Sequence, residues 1–173
     1  MTDANERLAK ITDSALKDLI ERMRAAADTS KAPYSLAELL IEQDRRLRVG
    51  IFPTVETART VMELAGRSED GVVTFGAVWH AFLPDKEFKG NSSQNEVTNA
   101  LSRVGYYCIR HGLPQIQTLV VNKASNDLTE AARDNVYNAA KERGVEVGPD
   151  RDAFIAEQQR LSRQLVADQL PAD

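Results

Sequence analysis

The sequence predicts a mainly α fold with a small β component, an α+β protein. Three observations carry this. Apolar residues recur at three- and four-residue steps over most of the chain, the mark of amphipathic helices. Helix start and stop signals bracket those stretches, among them Ser35 with Glu38, Pro53-Thr54 and Gly112-Leu113-Pro114. β-like runs are short and few: Val73-Thr74, Thr118-Leu119-Val120-Val121 and Val145-Glu146-Val147.

The elements follow in order. Leu8, Ile11, Ala15, Leu16, Leu19, Ile20 and Met23 form one apolar stripe, predicting a single first helix that Asp28 to Pro33 ends. A second helix starts at Ser35, whose spacing to Glu38 fits a capping box, and Gly50 closes it. A third starts at Thr54, with Ala58, Val61, Met62 and Ala65 inward and Gly66 as its stop. Val73 to Lys123 then reads as a winged-helix-like module, flanked on both sides by amphipathic helices. It holds a short apolar helix ending near Phe82-Leu83-Pro84, a polar loop, and a long helix from Ser92 to His111 capped by Ser93. Asp127 with Glu130 predicts another capping box and a helix running to Gly144. Val145 to Val147 predicts a strand, and a last helix begins near Asp150.

The 173 residues, 42% hydrophobic and 28% charged, suit one domain with helical extensions. The expected boundaries are a helical region over 1–70, the module over 71–125, and a C-terminal helical extension over 126–173 packed on the same domain. No apolar run approaches the roughly 20 residues that span a bilayer. The acidic N-terminus has no hydrophobic signal region, and Cys108 is the single cysteine, so a reducing cytoplasmic setting is expected. Net charge is -4, but the 71–125 segment holds 5 basic and 3 acidic residues, while both arms are acidic.

That segment carries the candidate site. Asn95, Asn99, Ser102, Tyr106 and Arg110 fall on the polar side of the long helix, with Arg103 alongside. Amides and guanidinium groups hydrogen-bond base edges, and a helix fits the major groove. Lys86, Lys89 and Lys123 are placed to meet phosphates. The acid-acid-lysine grouping Asp85, Glu87, Lys89 crowds into one loop instead of converging from separate strands, so it is not read as a nuclease site. His80 and His111 lack partners at metal-ligand spacing, and Cys108 shares the apolar stripe with Val97, Leu101 and Val104, which makes it structural. No cofactor, metal or catalytic residue is expected.

The order of elements over 73–123 resembles the DNA-binding domain of alkylguanine-DNA alkyltransferases and alkyltransferase-like proteins. The matching residues are Val73-Thr74-Phe75-Gly76, Ala100-Leu101 and Leu113-Pro114, under a third of the chain. The family's reactive cysteine and following histidine are replaced by Val121 and Asn122. The resemblance implies a helix-turn-helix-like scaffold without alkyl-transfer chemistry. The expected function is therefore a non-enzymatic, nucleic-acid-binding regulatory protein of the kind phages and mobile elements encode, with no membrane partner. The alternative is a protein-interaction module or inhibitor acting through its acidic amphipathic helices.

Overall fold

A computed structural model describes residues 2–173, with side chains from residue 6 onward. The chain is mainly helical with one small sheet. It opens with α1 (Thr2–Ala9), α2 (Asp13–Ala25) and α3 (Leu36–Arg45). The stripe expected as one helix from Leu8 to Met23 is thus two. Thr12 leaves helical geometry, and its hydroxyl accepts the Ala15 N–H to start α2. The apolar spacing runs through this break because Leu8, Ile11, Leu16 and Ile20 all pack with Leu39 and Leu40. The Ser35–Glu38 capping box forms in full: the Ser35 N–H donates to the Glu38 carboxylate at 2.7 Å, and the Glu38 N–H to Ser35 Oγ at 3.2 Å.

Helix α4 (Thr54–Arg67) lies behind Pro53, whose carbonyl accepts the Thr57 N–H at 2.8 Å. The central elements follow: β1 (Val73–Thr74), α5 (Phe75–Phe82), α6 (Gly90–Arg110), a 3-10 turn (Ile116–Leu119) and β2 (Val120–Val121). The strands pair in parallel, Val73 opposite Val120 and Thr74 opposite Val121. A parallel pair needs a long crossover, and α5 with α6 supplies it. The run expected as a strand from Thr118 is strand only at its end. The Thr118 N–H and hydroxyl both donate to the Gln115 carbonyl, at 3.0 and 2.7 Å, and curl the chain first.

Helix α6 begins earlier than its serines suggest. Gly90 supplies the positive φ of 73° at its entry, and Ser93 Oγ donates back to the Lys89 carbonyl at 2.8 Å instead of capping. Its end matches the expected stop: Gly112 turns at φ 62°, and the Leu113 N–H closes on the Cys108 carbonyl at 2.8 Å. Val97, Ala100, Leu101 and Val104 are buried, and they meet Phe52, Val61, Val78, Ile116 and Leu119 in the central core. Helix α4, from within the first 70 residues, gives Ala58, Val61 and Ala65 to that same core.

The remaining helices are α7 (Glu130–Glu142) and α8 (Arg151–Ser162), with a closing 3-10 turn (Ala167–Gln169). Thr129, not Asp127, caps α7: its hydroxyl accepts the Ala132 N–H at 3.2 Å, while Asp127 pairs with Arg133 at 2.7 Å. Val145 to Val147 forms no strand, for it has no partner strand beside it. Val145 and Val147 pack instead against the cluster of Val121, Leu128, Phe154 and Ile155. A buried ion pair ties α3 to the end of α7, Asp44 with Arg143. Among the described residues no helix is long and apolar enough to cross a membrane.

Candidate nucleic-acid interface

The candidate interface is built on the α5–turn–α6 unit. Trp79 on α5 is buried, and its indole N–H donates to the Lys86 carbonyl at 2.8 Å. Phe88 packs beside Trp79 with ring centroids 5.9 Å apart. These two contacts fix the turn between the helices, yet leave the side chains of Lys86 and Lys89 exposed. The turn therefore presents its lysines from a held backbone.

Helix α6 divides into two halves with different surroundings. In the first half, Ser93, Val97 and Ala100 face inward, while Asn91, Ser92, Asn95, Asn99 and Ser102 are exposed. Among the described residues, neither Asn95 nor Asn99 has a side-chain hydrogen-bond partner, so their amides are free to bond elsewhere. Lys123 lies exposed after β2 and, with His80 and Gln94, lines a hollow of about 550 Å³ over the start of α5. The face also carries acid: Asp85, Glu87 and Glu96 are exposed nearby, so its charge is close to neutral.

In the second half, the three remaining candidates are engaged by the protein itself. Arg103 donates through Nη2 to the Phe52 carbonyl at 2.9 Å. The Tyr106 ring lies under the Arg143 guanidinium, 4.2 Å from its centroid. Arg110 pairs with Asp173, and only 11% of its side chain is exposed. The eight residues therefore do not share one surface. Asn95, Asn99, Lys86 and Lys89 gather around the start of α6, Lys123 flanks them, and Arg103, Tyr106 and Arg110 are turned to neighbouring elements. Ser102 stays exposed beside them, as its place on the polar face suggests, while half-buried Gln94 and exposed His80 border the region and carry no sequence signal beyond polarity.

Two further features bear on chemistry. Cys108 is fully buried, and loss of hydration pushes its thiol up to about 12. A thiol-reactive dye at neutral pH should leave it unlabelled in the native protein and react only on unfolding; rapid native labelling would contradict this burial. Among the described residues, no three His, Cys, Asp or Glu side chains gather as a metal site. A second cleft, about 490 Å³, runs between α6 and α7 past Leu101, Gly105, Tyr106 and Val136. At Gly105 a Cβ would come within 2.4 Å of Gln117 Nε2, so a larger residue there would push that side chain aside. Comparison of the chain with protein-family models, curated proteins and solved structures gives no match.

Proposed function

We propose that this chain is a non-enzymatic nucleic-acid-binding regulator that reads duplex DNA with the exposed first half of α6. The observation that carries the reading is the run Asn95, Asn99 and Ser102, exposed and adjoining the held turn that presents Lys86 and Lys89. In helix-turn-helix recognition the first residues of the second helix meet base edges and the preceding segment meets the backbone. Exposed amides suit adenine, and lysines suit phosphate. The strand–helix–turn–helix–strand order supports a winged-helix-like unit. Its two strands pair in parallel, so contact would come through the helices and not through a β-hairpin wing.

The near-neutral face sets the expected affinity. With three lysines set against three carboxylates, binding should be weak and moderately salt-dependent. In electrophoretic mobility shifts at low salt, Lys86→Ala with Lys89→Ala should weaken all sequences alike and lower the log–log salt slope by about 2. Asn99→Ala should instead relax sequence preference by about 1–3 kcal/mol. Glu96→Gln, which removes an exposed carboxylate from the face, should tighten binding. No shift at micromolar protein would turn the reading towards protein interaction.

A further inference from the structure

We propose that the cleft between the α3–α4 connection and the second half of α6 binds a small amphiphilic carboxylate, its oxyanion on Arg103 and its hydrocarbon part along Leu47 and Val49. The proposal is independent of the nucleic-acid reading and uses a different part of α6. The cleft encloses about 430 Å³, within the range of small-molecule sites.

Its charges are the first argument. Three guanidinium groups line the cleft, on Arg45, Arg103 and Arg110, together with the carboxylates of Asp44 and Asp173. Both carboxylates are committed. Asp44 accepts two bonds from Arg143, at 2.6 and 2.8 Å, and Asp173 pairs with Arg110 and lies 3.8 Å from His111 Nε2. Arg45 reaches Glu42 at 3.8 Å. Among the described residues, Arg103 has no carboxylate within ion-pair distance. Its Nη2 is spent on the Phe52 carbonyl, and its Nε is buried with no partner at all. Withdrawing a guanidinium from water is costly unless an anion answers it. A carboxylate in the cleft would answer that charge through Nη1, which makes no hydrogen bond among the described residues and is not sealed off as Nε is.

The walls make the second and third arguments. Helix α4 starts behind Pro53 with no side-chain cap, and its first residue, Thr54, lines the cleft. The unanswered N–H groups of that first turn favour negative charge in the same space. At the mouth, Leu47 and Val49 are 41% and 59% exposed, with Ile51 next to them at 50%. Large exposed apolar side chains gathered in five consecutive residues mark a contact surface. Such a rim offers nothing to a bare inorganic anion but would cover a short hydrocarbon chain.

Calorimetric titration of the intact chain with hexanoate, hexanol and inorganic phosphate tests this. Hexanoate should bind at least about tenfold more tightly than either hexanol or phosphate. Arg103→Met should erase the preference over hexanol. Because that variant also loses the bond to Phe52, Val49→Asp serves beside it: an added carboxylate at an exposed position should weaken hexanoate by about tenfold or more without disturbing the fold. Equal binding of hexanoate and hexanol, tighter binding of phosphate, hexanoate affinity unchanged in both variants, or no hexanoate binding up to about 10 mM would each overturn the proposal.

Discussion

Asp44→Ala is expected to cost about 3–5 kcal/mol of folding stability. The Asp44 and Arg143 side chains are 2% and 6% exposed, and two bonds join them across 99 positions of sequence. Removing the acid strands a buried guanidinium whose remaining contacts are the Ala139 carbonyl at 3.2 Å and the Tyr106 ring. The cost comes from that stranded charge more than from the lost attraction. The double replacement Asp44→Leu with Arg143→Met should therefore be far milder than Asp44→Ala, because no charge is left buried. Urea denaturation of the two variants decides the matter. A loss below about 1 kcal/mol for Asp44→Ala would show the pair to be solvated.

Phe52→Ala should be of similar size, about 3–5 kcal/mol, but for a different reason. Phe52 is 1% exposed and meets Phe82 edge-on at 5.2 Å and Trp79 at 5.9 Å between ring centroids. It anchors the α3–α4 connection in the central core, beside three exposed apolar residues that contribute nothing to it. Truncation leaves a cavity between α4 and α5, which the rings around it can fill only in part. Val49→Ala, three residues away and exposed, should change stability by less than about 0.5 kcal/mol. Thermal or urea unfolding of both variants separates an anchored connection from a loose one: comparable small effects would contradict the packing.

Local signals were the legible part of this fold. The Ser35–Glu38 box, Pro53 before α4, and Gly112 after α6 each act through bonds made within five residues, so spacing reveals them. The break at Thr12 was hidden because Leu8, Ile11 and Leu16 keep helical spacing across it while packing on one cluster. Val145 to Val147 alternates like a strand, but pairing depends on a neighbour that only the tertiary fold could supply. The same limit divides the candidate site. Asn95 and Asn99 stay on the surface as their place on the helix suggests. Arg103 and Arg110 share that polar side by spacing, yet partners 51 and 63 residues away, the Phe52 carbonyl and Asp173, take them inward. No periodicity within α6 carries that information.

The central claim, that the first half of α6 meets nucleic acid, is tested most directly by following backbone amide resonances while a short DNA duplex is added at low salt. The largest shifts should fall on the turn at 86–89, on α6 from Asn91 to Asn99 and near Lys123, with little change at Arg110, α7 or α8. Shifts centred on the acidic arms, or none at millimolar duplex, would contradict it.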